Sequence, residues 1–156
     1  MESLSEGNIE ALEKVQKRAT KILPELKHLS YCDRLRACNL TTLHYRRIRG
    51  DMIETYKIVT GKYDTAVSPK LEKVDSYTTR GNDLRLHKKR TRYDLRKYCF
   101  TNRIVDVWNC LPNWVVSADT TNNFKTRLDK HWHNQDIIYD FTAQLHGIGS
   151  RSESLN

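Results

Sequence analysis

TTLHYRRIRGDMIETYKIVTG, residues 41–61, decides the fold class. Tyr45, Ile48, Met52, Tyr56 and Val59 recur at spacings of three and four. That spacing places them on one narrow stripe of a helix, whereas a strand would need alternation every two residues. Thr41 or Thr42 can cap the start through a side-chain oxygen, and Gly61 stands where a left-handed C′ residue commonly ends a helix. Gly50 lies inside the run at a cost of ~1 kcal/mol against Ala. Either close packing of another element or simple tolerance accounts for it.

Toward the N-terminus, Asn8 can cap a first helix in which Ile9, Leu12, Val15, Ala19, Ile22 and Leu23 share one face. They span roughly 140° of the helix, the kind of face a helix ordinarily turns to a core. Pro24 stops it. Ser30 followed by Asp33 resembles a capping box, weakened because Asp is shorter than Glu. A short second helix runs through Leu35 and Ala37 and ends near Asn39.

Toward the C-terminus, residues 62–83 have no period and read as a long loop. Leu84 and Leu86 then alternate with Arg85 and His87, which suits a short extended segment. Past Asp94, Phe100, Ile104, Val107, Trp108 and Leu111 form another helical stripe that Pro112 ends. Thr120 or Thr121 caps a last helix with Phe124, Leu128 and Trp132 facing inward. From about Asn134 the pattern fades, and the closing GIGSRSESLN reads as a mobile tail. The expected fold is mainly α: a small bundle of about four to five helices with a long central loop and a short extended segment. The expected organisation is a single helical domain over 1–133 and a mobile tail over 134–156.

The 156 residues carry a net charge of +8, and 38% are hydrophobic, including three Trp, eight Tyr and three Phe. Mean hydropathy is −0.73. The aromatic content supplies core material despite the polarity. The charge favours an acidic partner without choosing among nucleic acid, an anionic membrane and an acidic protein. No window nears the roughly 18 continuous apolar residues of a membrane span. MESLSEGNIEALEK lacks the basic and apolar regions of a secretory signal. The expected location is the nucleus or cytoplasm, with no secretion and no membrane partner. Cys32, Cys38, Cys99 and Cys110 form no Cys-x-x-Cys pair and are expected as free thiols, buried or half-buried.

The densest charge lies between Arg80 and Arg103. Arg80, Arg85, Lys88, Lys89, Arg90, Arg92, Arg96, Lys97 and Arg103 stand there against Asp83 and Asp94 alone, with Tyr93 and Tyr98 interleaved. Phosphates in series need cations in series, and arginine adds a planar fork that grips two oxygens. A tyrosine ring offers a stacking face worth ~1–3 kcal/mol per unpaired base. Arg46, Arg47 and Arg49 make a second cluster. Arg46 and Arg47 point away from the apolar stripe of the third helix, and Arg49 lies nearer its edge. For any single lysine, a solvated surface charge is the simpler account. For the segment as a whole, nucleic-acid contact is the expectation.

Other chemistry finds less support. His131 and His133 diverge by about 200° on a helix and make a poor metal pair. Cys99 and His131 could be nucleophile and base, but nothing local activates the thiol beyond nearby cations. Two-metal phosphoryl chemistry needs clustered carboxylates, and no Asp-Asp pair occurs. Gly147-Ile148-Gly149 lacks a following helix, so it is no phosphate loop. No catalytic residue, metal site or cofactor is expected.

Four blocks in order carry a family resemblance: LEKVQKRATKILPELKHLSYCDRL from Leu12, LTTLHYRRIRGDMIETYKIVTGKYD from Leu40, TRGNDLRLHKKRTRYDLRKYCFTNRIVDVWNCLP from Thr79 and FKTRLDKHW from Phe124. Over about residues 11–133 the chain resembles the C-terminal end of the reverse transcriptase polyprotein of non-LTR (LINE-like) retrotransposons, of the jockey-like kind. In that family an endonuclease domain precedes the polymerase fingers and palm, which carry a paired-aspartate motif, and the thumb follows. The resemblance places these blocks after the palm, with the first helix similar to the end of the thumb. It implies descent from an RNA-directed DNA polymerase without its activity, since the paired aspartates and the endonuclease acids have no counterparts here.

The expected function is therefore a non-catalytic nucleic-acid-binding C-terminal fragment of a retrotransposon reverse transcriptase. RNA or an RNA–DNA hybrid is preferred over DNA, and the rest of the polymerase is a further partner. The alternative is a structural scaffold or protein-interaction remnant, whose mark would be an exposed apolar face.

Overall fold

The computed structural model describes residues 4–75, 81–93 and 98–148. The fold is mainly helical, as expected. Among the described residues six α-helices occur: α1 Leu4–Lys21, α2 Tyr31–Ala37, α3 Leu43–Val59, α4 Phe100–Cys110, α5 Asn113–Val116 and α6 Thr121–His131. Short 3₁₀ turns cover Pro24–Leu26 and Asp136–Ile138. No described helix is long and apolar enough to cross a membrane.

The punctuation follows local chemistry. The Ser30 hydroxyl accepts from the Asp33 amide at 3.2 Å and donates to the Asp33 carboxylate at 2.6 Å, which fixes the start of α2. That hydrogen bond, with help from Arg36, holds the Asp33 carboxyl below its ordinary range. Asn39 closes α2 at φ 53°, with the Leu40 amide donating to the Leu35 carbonyl. Gly61 closes α3 at φ 70°, and the Lys62 amide donates to the Lys57 carbonyl. Both are Schellman endings. Of the two candidates at each start, Thr42 caps α3 by accepting from the Tyr45 amide, and Thr120 caps α6 by accepting from the Asn123 amide. Asn8 is no cap, because α1 begins at Leu4.

The chain divides into two compact units. The first comprises Met1–Arg49 with Gln135–Leu145, and the second Gly50–Asn134 with His146–Asn156. Residues of α3 up to Arg49 belong to the first and the rest to the second.

The first unit reverses the expectation for α1. Leu12, Val15, Ile22 and Leu23 are exposed, while Glu13 and Thr20 are buried. The cause is a polar network that the rest of the unit presents to that face. Glu13 accepts from the Tyr31 hydroxyl at 2.6 Å and from the His44 amide at 3.0 Å, at the first turn of α3. Gln16 donates to the Thr41 carbonyl and to Tyr31, and the Thr20 hydroxyl accepts from Arg34. Buried polar groups this well satisfied stabilise a packing arrangement that unpaired ones would forbid. Part of the segment expected as a tail packs here, with Ile137 fully buried in this unit, while 149–156 lie outside the described residues. The Thr42 hydroxyl donates to the Ile137 carbonyl and the Thr42 amide to that of Ile138.

The second unit is built as the stripes require. Trp108, Phe124, Leu128, Val115 and Tyr56 form its centre. Tyr56 and Phe124 stack with centroids 4.4 Å apart, and the Tyr56 hydroxyl donates to the Ala118 carbonyl at 2.6 Å. The extended segment at Leu84–Leu86 exists as an isolated antiparallel bridge, Leu86 pairing with Lys73. Its partner comes from within the region expected as loop. The four cysteines form no disulfide, with Cys32 and Cys38 half-buried as expected, but Cys99 and Cys110 are exposed.

Candidate functional site

The basic segment is positioned by asparagines. Asn82 is buried and donates to the Trp108 and Leu111 carbonyls at 2.9 and 3.0 Å, tying the strand-like run to the end of α4. Asn109 accepts from the Leu86 amide at 2.8 Å and donates to the Leu86 carbonyl at 2.9 Å, standing in for a neighbouring strand. Trp108 donates its indole N–H to the Leu84 carbonyl, and Asn113 bonds to the Asp83 side chain and amide. On the other side, the Val74 amide donates to the Arg85 carbonyl and the His87 amide to that of Glu72. The chain is thus held on both flanks up to His87. Beyond it, residues 88–90, 92 and 93 are exposed.

Lys88, Lys89 and Arg90 face Asn102, Arg103 and Asp106 of α4 across an open cleft of about 490 Å³. Lys88 pairs with Asp106, and Lys89 with Glu72 at 2.7 Å. All four side chains are more than half exposed, and pairs of that kind contribute about 0–1 kcal/mol, so an incoming anion can displace them. Arg90 and Arg92 are exposed, with no ion pair to a described residue. Tyr93 is 69% exposed, which leaves a ring face open.

Several other expected site residues are differently placed. Arg103 donates to both Asp51 carboxylate oxygens at 2.8 and 2.9 Å and to the Tyr98 carbonyl at 3.2 Å. Those hydrogen bonds to Asp51 raise its already high pKa. Its guanidinium on the cleft wall is therefore engaged by Asp51. Arg85 is half-buried with its side chain folded over Gly81. Tyr98 is half-buried as well. Arg46 is exposed and donates to the Thr41 hydroxyl at 3.3 Å, while Arg47 and Arg49 are half-buried. These three belong to the first unit and the cleft to the second. Arg80, Arg96 and Lys97 lie outside the described residues.

Sequence periodicity assigned no role to Asn82, Asn109, Asn113 or Trp114. Trp114 is 45% exposed, and its ring meets His131 edge-on with centroids 6.0 Å apart. Burial lowers the His131 pKa, which favours the neutral ring. Among the described residues no three His, Cys, Asp or Glu side chains gather as a metal site. Comparison of the chain with protein-family models, with curated proteins and with solved structures finds no match.

Proposed function

We propose that this chain is a non-catalytic nucleic-acid-binding module. The observation that carries this reading is the exposed run Lys88–Tyr93, held rigidly at its root by Asn82 and Asn109, with cations lining a cleft and an open tyrosine ring at its end. Lys88, Lys89, Arg90 and Arg92 neutralise backbone phosphates, and Tyr93 stacks on an unpaired base. Arg46 and Arg47 supply a second phosphate-binding surface. Single-stranded RNA or an RNA–DNA hybrid is the preferred ligand, with DNA second.

The origin proposed for the module is the region after the palm of a non-LTR retrotransposon reverse transcriptase. It rests on the order of the four sequence blocks quoted above. The rest of that polymerase is then a second partner, and a nuclear or cytoplasmic location follows.

The test is fluorescence anisotropy of the chain with single-stranded RNA, single-stranded DNA, duplex DNA and an RNA–DNA hybrid across a salt series. Binding at micromolar concentration or tighter is expected, with affinity falling steeply as salt rises. Replacing Lys88, Lys89, Arg90 and Arg92 with Ala lowers the slope by ~0.7–0.9 for each phosphate that is no longer neutralised. A slope that does not move refutes the site, and no binding at low salt refutes the function.

A further inference from the structure

Beside the basic cleft, in the same unit, lies a smaller hollow of about 200 Å³. The two share their walls. Thr101, Asn102 and Val105 of α4 line the hollow, whereas Asn102, Arg103 and Asp106 line the cleft. At roughly 100° per residue these positions follow one another around the helix. Thr101 and Val105 stand on one side, Asn102 between, and Asp106 and Arg103 beyond. The extended chain facing α4 is divided in the same way. Leu86, His87 and Lys89 line the hollow, and Lys88, Lys89 and Arg90 the cleft. Asn102 and Lys89 therefore stand at the boundary and belong to both.

The two spaces differ in chemistry. Cations dominate the cleft. The hollow has an apolar lining of Leu71, Leu86 and Val105, the last two only 2% exposed. The Thr101 hydroxyl and the His87 imidazole add hydrogen-bonding groups beside it. Its walls are set before any ligand arrives. Leu86 is bonded to Asn109 of α4 on one flank and bridged to Lys73 on the other, and the His87 amide donates to the Glu72 carbonyl at 2.7 Å. A ligand filling both spaces must carry an anion and, directly beside it, a group with apolar faces and polar edges. A nucleotide has that construction. An aliphatic side chain of an acidic peptide would offer nothing to the Thr101 hydroxyl or the His87 ring.

We propose that this hollow takes one unpaired nucleobase of a bound strand while the cleft takes the phosphates next to it. The inference rests on the nucleic-acid reading and deepens it, since it gives the site a reason to select single strands. A base inside a duplex is paired and stacked and cannot enter. Tyr93 lines neither space, so it is a separate base contact. Lys89 reaches the phosphate beside the seated base once that phosphate has displaced Glu72 from their exposed pair.

The test uses the full chain carrying Tyr93→Ala, which removes ring stacking and isolates the hollow. Anisotropy compares oligouridine RNA with an abasic RNA strand of equal length. The abasic strand should bind at least about five-fold more weakly, the lower end of what one base contact is worth. Its salt slope should be unchanged, because its phosphates remain. Adding Thr101→Met fills the hollow with an uncharged, non-aromatic side chain and should abolish the difference between the strands. Thr101→Ser keeps the hydroxyl and the space and should preserve it. Thr101 is exposed, so the circular dichroism spectrum and melting temperature should be the same in all three proteins. Duplex DNA should bind the Thr101→Met protein as it binds the Tyr93→Ala parent. Equal binding of the two strands by Tyr93→Ala would make the tyrosine the base contact and overturn the proposal, and that comparison needs no change in the hollow itself. A difference that survives Thr101→Met overturns it too, as does an equal loss on duplex and single strand. In each of these cases replacing Lys88, Lys89, Arg90 and Arg92 with Ala still lowers the salt slope, so the cleft stands without the hollow. No binding to any strand at low salt overturns the nucleic-acid reading and this inference with it.

Discussion

Asp51 grips Arg103 through two hydrogen bonds, with the carboxylate largely buried and the guanidinium about two-thirds covered. Arg90, thirteen residues earlier in the same basic stretch, is exposed on the cleft. The two have the same chemistry and different surroundings, so they answer differently to substitution. Arg103→Ala leaves the Asp51 carboxylate without its partner and is expected to cost about 1–3 kcal/mol in urea denaturation. Arg90→Ala should leave stability within about 0.5 kcal/mol and act on nucleic-acid binding instead. Tyr31 gives a residue-scale pH effect. Burial, reinforced by its hydrogen bond to Glu13, raises the phenol well above its ordinary pKa. A pKa raised on folding means stability that is complete below the unfolded value, roughly 10, and lost as pH rises toward the folded one. Denaturation midpoints should therefore fall above about pH 10. Tyr31→Phe should begin less stable at neutral pH, because Glu13 loses a donor, and then show a shallower alkaline decline. An identical decline in both proteins would remove Tyr31 as its cause.

At the scale of elements, α3 contains two glycines with opposite expectations. Gly50 sits mid-helix, and a Cβ there would meet nothing within 4 Å. Of the two accounts open from sequence, tolerance is the one the space around it supports. Gly50→Ala should stabilise by up to about 1 kcal/mol, read as a higher melting temperature. Gly61 ends the helix at φ 70°, where an added Cβ strains the backbone even though the space is open. Gly61→Ala should destabilise by about 1–2 kcal/mol. If both substitutions moved the melting temperature the same way, the ending assigned to α3 would be wrong. The orientation of α1 is settled at the same scale. Its apolar periodicity is real, but Glu13 reaches a phenol on α2 and the His44 amide in the first turn of α3, and those donors are invisible to any pattern within α1 itself.

For the whole molecule, Gln135–Leu145 matters more than its sequence suggests. It lies about ninety residues from Thr42 along the chain and yet belongs to the first unit. Ile137 is fully buried there, and the carbonyls of Ile137, Ile138 and Phe141 accept from Thr42 and His44. Ending the chain after Asn134 removes a core side chain worth about 1.5–3 kcal/mol along with those acceptors. Amide exchange in Tyr31–Ala37 should accelerate in the shortened chain, while the amides of Phe100–Cys110 in the second unit keep their protection. Equal protection of α2 in both chains would show the segment to be dispensable.

Spacing and punctuation in the chain did not find the short helix Asn113–Val116, but they located the helices Phe100–Cys110 and Thr121–His131, the caps at Ser30 and Gly61, and the basic run. Each of these depends on spacing or on residues within a turn or two of one another, and local physics is written into local sequence. Which cations stay available depends on contacts between residues far apart in the chain. Asp51 lies 52 residues from Arg103, and Asn82 meets Leu111 across 29, so neither pairing leaves a trace in periodicity. The same holds for α1. A helix can be amphipathic in two senses at once, with an apolar row and a row of hydrogen-bonding groups. Which row turns inward depends on whether the neighbouring elements offer it oil or donors, and here Tyr31, Arg34 and the start of α3 offered donors.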